Sequence, residues 1–144
     1  YYKVLISSVQ PTSQGQNLRL RVGTGGSFAT SGYLTEAHRS YYSGGTDRGS
    51  ATDHLVGIRG GIEDSSNGNA NVEYTLNNMY DSGRKTTGIA IGCHIDGDDS
   101  NPNQVNQGTG AGIYNSNSSQ DSIRLYFNNG NITNMSATLY GLKG

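Results

Sequence analysis

Hydrophobic and polar residues alternate with a period of two along much of this chain, and no stretch holds the 3.6-residue period of an amphipathic helix. The clearest case is residues 17–22, Asn-Leu-Arg-Leu-Arg-Val, which set Leu18, Leu20 and Val22 on one face and Arg19 and Arg21 on the other. That pattern predicts a half-buried strand. Residues 2–9 favour β-branched and aromatic types and stop at the turn formers Gln10-Pro11-Thr12-Ser13-Gln14-Gly15. Further strands are predicted over 33–42, over 54–58 and over 72–80, where Val72, Tyr74 and Leu76 share one side. The apolar run from Thr87 to Ile95 reads as a strand buried on both faces. Ile123, Leu125 and Phe127 alternate with Arg124 and Tyr126, Asn128-Asn129-Gly130-Asn131 reads as a hairpin turn, and Ala137 to Tyr140 as the returning strand. The polar segments 43–53, 63–71 and 96–110 read as loops. About eight or nine short strands with no helix and no internal repeat predict an all-β fold, a single antiparallel β-sandwich of jelly-roll type over residues 1–144.

Composition narrows the functional classes. A chain of 144 residues is long enough for one core. Its 22 glycines and 32% hydrophobic content describe a turn-rich domain. Ten basic against 11 acidic residues leave a net charge of −1, too small for compositional disorder and without the basic footprint of a nucleic-acid binder. The few Lys and Arg are scattered along the sequence. No run approaches the roughly 18 apolar residues of a membrane-spanning helix. Cys93 is the single cysteine, so it has no internal disulfide partner, and its apolar setting predicts a small buried hydrophobe. The start at Tyr1-Tyr2 reads as a fragment of a longer polypeptide or a chain whose leader has been removed.

Recognisable catalytic chemistry is sparse. His94 and Asp96-Gly97-Asp98-Asp99 could gather around a cation, but an EF-hand loop counted from Asp96 would need a glycine where Asn101 stands and a glutamate where Gln107 stands. His38, His54 and His94 fall on three separate predicted strands without zinc-ligand spacing. Gly108-Thr109-Gly110-Ala111-Gly112 precedes no helix and reads as a flexible lead into a strand rather than a phosphate cradle. No G-x-S-x-G is present, and Glu36, Glu63, Asp64 and Glu73 are acids without a marked pair for glycoside hydrolysis. Tyr33, Tyr41 and Tyr42 flank hydrogen-bonding residues, as do aromatic rings that stack on sugars or anchor interfaces. The sequons at Asn117, Asn131 and Asn134 are expected by chance in so Asn- and Ser-rich a chain.

Both ends of the chain carry a recurrent pattern. Pro11 and Gly15 mark a turn, Leu18 to Val22 an "LRLRV" strand, and Gly25 to Phe28 with Ser31 to Tyr33 a "GGSF…SGY" segment. Ile123 to Phe127, Gly130 to Ile132 and Leu139 to Gly141 close the domain. In these marks the chain resembles a family of phage and prophage virion structural domains, especially those in phages of cyanobacteria and other aquatic hosts. The resemblance implies a non-enzymatic β-sandwich of the tail or its fibres, located in the virion, with no cofactor. It also implies a symmetric homo-oligomer, commonly a trimer in fibres, whose partners are other virion proteins and a host-surface glycan. Tyr33, His38, Arg39, Tyr41 and Tyr42 are the expected binding residues, with the segment from Asp96 to Asn103 as a secondary surface; no catalytic and no metal-ligating residue is assigned. The alternatives are a purely structural capsid decoration or connector protein, and a polysaccharide hydrolase.

Overall fold

A computed structural model describes residues 1–41, 43–64, 69–95 and 105–141, together with the backbone alone at 96 and 104. The described residues form eleven strands: β1 (Tyr2–Pro11), β2 (Gln16–Thr24), β3 (Ser27–Phe28), β4 (Tyr33–Tyr41), β5 (Thr46–Ala51), β6 (Val56–Ile62), β7 (Ala70–Asn77), β8 (Thr87–Asp96), β9 (Gln104–Tyr114), β10 (Ser122–Phe127) and β11 (Ile132–Gly141). Among the described residues there is no helix. Seven strands make one antiparallel sheet in the order β11-β1-β7-β8-β9-β4-β5. Four make the second, with β2 between β10 on one side and β6 and β3 on the other. A single bridge from Ile62 to Asp96 joins them. The antiparallel all-β sandwich is therefore observed, but seven strands against four is not the matched division of an eight-stranded jelly roll, and that topology is not established.

Three strands escape the sequence pattern: β3, β5 inside the expected loop 43–53, and β9, most of which the sequence pattern reads as loop or as a flexible lead. β9 is central because of its glycines. Gly108, Gly110 and Gly112 face inward, where β6 crosses so closely that a Cβ on Gly110 or Gly112 would overlap the carbonyls of Gly57 and Leu55, and one on Gly108 would stand 2.6 Å from Cγ2 of Ile58. The sheets meet here backbone to backbone. Elsewhere the core is conventional, with Leu18, Leu20 and Val22 of β2, Val56, Ile58 and Ile62 of β6, and Val72, Tyr74 and Leu76 of β7 all buried. Burying each such aliphatic side chain contributes about 1.5–3 kcal/mol.

Two further expectations change. The turn 128–131 does not close a hairpin, because β10 pairs with β2 and β11 with β1, so the chain crosses from one sheet to the other. Asn128 is held by Asn17, whose amide donates to its side-chain oxygen at 2.6 Å, and the Asn131 amide donates to Thr12 Oγ1 at 2.8 Å. β8 is buried on one face only: Ala90 and His94 point inward while Ile89, Ile91 and Cys93 point to solvent. Cys93 is thus exposed rather than buried, since strand alternation places it opposite the inward His94.

Candidate functional site

The expected binding residues do not form one cluster, because neighbours on a strand face opposite ways. Tyr33 is 1% exposed; its ring packs on Tyr114 with centroids 4.7 Å apart and its hydroxyl donates to the carbonyls of Val22 and Ala29, each at 3.2 Å. Burial pushes its phenol up to about 12. Tyr33 is a core residue and offers no face to a ligand, which corrects the expectation for it. His38 stands on the outer face of the seven-stranded sheet, with Nε2 3.3 Å from Glu36 Oε1. Tyr42 and the segment 97–103 lie outside the described residues.

Arg39 and Tyr41 do come together, on the inner side of β4 at one end of the sandwich. The Arg39 guanidinium lies over the Tyr41 ring, 4.2 Å from its centroid, and donates to the Tyr41 hydroxyl. That leaves Tyr41 as a support for the arginine rather than a platform for a sugar. Asp47 on β5 and Arg59 on β6 complete the group. Arg59 Nε donates to Asp47 Oδ2 at 2.7 Å, and Arg39 Nη2 is 3.9 Å from the same oxygen. The hydrogen bond from Arg59, reinforced by both guanidinium charges, holds the Asp47 carboxyl below its ordinary range against a smaller opposing effect of burial. Together with Asn17 and the Gly60–Gly61 backbone these side chains line an open depression of about 400 Å³. Two guanidinium groups approach the Asp47 carboxylate here, and guanidinium forks match the two oxygens of a carboxylate or sulfate.

Behind this depression lies His94, 2% exposed, with neither ring nitrogen hydrogen-bonded among the described residues. Burial, and secondarily the charge of Arg39, lowers its pKa from 6.5 to about 4, so the ring is neutral at pH 7. Sequence reasoning missed Asp47, Arg59 and His94 as members of this end. The signals that existed were weak: a charged Arg59 closing a strand just before Gly60-Gly61, and a histidine within an apolar run.

Two other groupings matter. His54 Nδ1 is 2.8 Å from Asp53 Oδ1, the relation a carboxylate has to a catalytic histidine, but Asp53 Oδ2 is also held by Arg19 at 2.8 Å and lies 3.6 Å from Arg21. Burial dominates His54 and lowers its pKa despite the Asp53 hydrogen bond. On the outer face of the smaller sheet, Arg21 lies over the Tyr126 ring at 4.6 Å and Arg124 approaches it at 5.8 Å. Strand pairing thus gathers Arg19, Arg21 and Arg124, basic residues that are scattered in the sequence. Among the acids weighed for glycoside hydrolysis, Glu36 and Glu73 share the outer face of the larger sheet, but β8 and β9 lie between their strands, about 14 Å at the usual strand spacing. That exceeds the roughly 5–9.5 Å of a catalytic pair.

Compared with known proteins, the chain matches no protein-family model, no curated protein and no solved structure. No helix among the described residues is long and apolar enough to cross a membrane.

Proposed function

We propose that this chain is a non-enzymatic attachment domain of a virion, whose depression at the Arg39–Arg59 end holds an acidic group on a host-surface glycan. The observation that carries the reading is the convergence of Arg39 and Arg59, from opposing sheets, on the single carboxylate of Asp47 in an open depression. A carboxylate-bearing sugar meets planar guanidinium groups on two sides there, whose geometry matches its two oxygens. The virion setting rests on the resemblance of the two ends of the chain to phage structural domains. The separation of Glu36 from Glu73 favours binding over hydrolysis.

Calorimetric titration with uronic-acid oligosaccharides and with neutral oligosaccharides tests the reading. Binding confined to the acidic series, weakened tenfold or more by Arg59→Ala and reduced by salt, is the expected result. Equal affinity for both series, or binding indifferent to Arg59→Ala, would overturn it. A second reading, a capsid decoration or connector role, is favoured by the exposed aliphatic residues on the outer face of the larger sheet.

A further inference from the structure

We propose that the outer face of the seven-stranded sheet is the surface through which two copies of this chain pack against each other. Strand alternation should make the solvent face of a sandwich polar. Here Leu34, Ile89, Ile91 and Val105 are more than half exposed or at half, and Leu5 and Ile113 are each 39% exposed. Leu34 is directly opposite Ile113 across the β4–β9 ladder, and Ile89 is directly opposite Ala111 across β8–β9, so the patch is continuous across the middle strands. Together the six large residues leave the equivalent of about three whole aliphatic residues in water. Cys93, Ala111 and the methyls of Thr75 and Thr109 extend this toward the roughly 450–500 Å² of apolar surface that each partner contributes to a standard interface. A shallow groove of about 640 Å³ beside Leu34 and Ile113 could receive a partner's side chain.

The charge pattern selects a second copy as the occupant. The middle of the face, along β8 and β9, presents Thr87, Ile89, Ile91, Cys93, Gln107, Thr109, Ala111 and Ile113 and no charge. Among the described residues of this face, charges sit only on the flanks. Lys3 and Glu73 pair at 2.6 Å on one side, and Glu36 and His38, next to Arg48, lie on the other. An uncharged centre with a charged rim is the anatomy of an interface. A twofold axis running between β8 and β9, parallel to them, lays β8 of each copy over β9 of the other. Ile91 then faces Thr109 and Ile89 faces Ala111, while Glu73 of each copy meets the His38 side of the other and Leu5 meets the apolar stem of Arg48. Acid faces base twice, once at each end of the symmetric contact, and sheets about 10 Å apart at a modest angle accommodate the arrangement.

Sedimentation velocity of the 144-residue chain between about 1 and 100 µM tests this, read together with the maleimide reactivity of Cys93. A species of twice 15.3 kDa is expected, with Cys93 labelled at least tenfold more slowly than in a monomeric control. Under the same symmetry two Cys93 residues lie about 11 Å apart, so a short bismaleimide should link the copies. Ile91→Lys and, separately, Ile89→Lys should give monomers with unchanged circular dichroism and freely reactive Cys93, whereas Arg124→Glu on the other sheet should leave the dimer intact. A wild-type chain that is monomeric at 100 µM with freely reactive Cys93 would overturn the proposal, as would an oligomer that survives both lysine variants or a patch that binds only an unrelated partner.

Discussion

The imidazole of His94 fills the space in which a side chain on Gly60 would stand. A Cβ on Gly60 would overlap Nε2 and Cε1 of that ring and crowd Cδ of Arg39 at 2.7 Å. Gly60 also has φ of +138°, a region L-residues rarely enter. Gly60→Ala is therefore expected to lower the unfolding free energy by about 2–4 kcal/mol, from overpacking and backbone strain together. Gly25→Ala, whose Cβ meets nothing, should cost about 1 kcal/mol from its positive φ alone. Urea denaturation of both variants measures the difference, and a Gly60→Ala/His94→Ala double variant less unstable than the sum of its singles identifies the shared space.

The same histidine makes stability depend on pH. Its folded-state pKa, about 4, lies below the 6.5 of the unfolded chain because burial, and then Arg39, disfavours the imidazolium. The unfolded chain takes up a proton between these values that the native state refuses. Stability from this group is complete above pH 6.5, declines as pH falls toward 4 and levels off below, a loss of about 3 kcal/mol. His94→Phe should flatten that window in melts run from pH 7.5 to 4. An unchanged slope would place the acid sensitivity elsewhere.

The glycines of β9 should tolerate almost nothing. Gly112→Ala and Gly110→Ala drive a Cβ into the backbone carbonyls of Leu55 and Gly57, which cannot yield without moving β6. Either change is expected to destabilise by about 3 kcal/mol or more, or to prevent folding. The outward neighbours give the control: Ala111→Ser and Thr109→Ser should stay within about 0.5 kcal/mol. Expression yield and guanidinium midpoints separate the two classes.

Tyr33→Phe isolates a buried hydroxyl. Removing it leaves the carbonyls of Val22 and Ala29 without that donor while keeping the ring on Tyr114. A loss of about 1–2 kcal/mol in stability is expected. Affinity for an acidic oligosaccharide should not change, because the ring is enclosed, whereas Arg59→Ala should weaken affinity and alter stability by less than about 1 kcal/mol, as the Arg59–Asp47 pair is partly exposed.

By itself the sequence determined the strand class and, for β2, β7 and β10, which residues face inward. Those follow from covalent geometry, since side chains alternate on any extended backbone and Leu18, Leu20 and Val22 must share a face wherever the strand is placed. Only the tertiary structure decided what each strand lies against. Gly108, Gly110 and Gly112 read as a flexible segment until β6 is packed onto them, and a glycine carries no side chain by which a local pattern could announce that contact. Cys93 read as buried because its neighbours are apolar, yet an apolar run does not reveal that one of its faces is left to solvent. The turn at 128–131 looks the same whether it closes a hairpin or crosses between sheets, because the difference lies in strands more than a hundred residues away. Arg39 and Asp47 are neighbours across the β4–β5 hairpin, but Arg59 reaches them only because β6 packs against β4, a convergence set by the sum of core contacts.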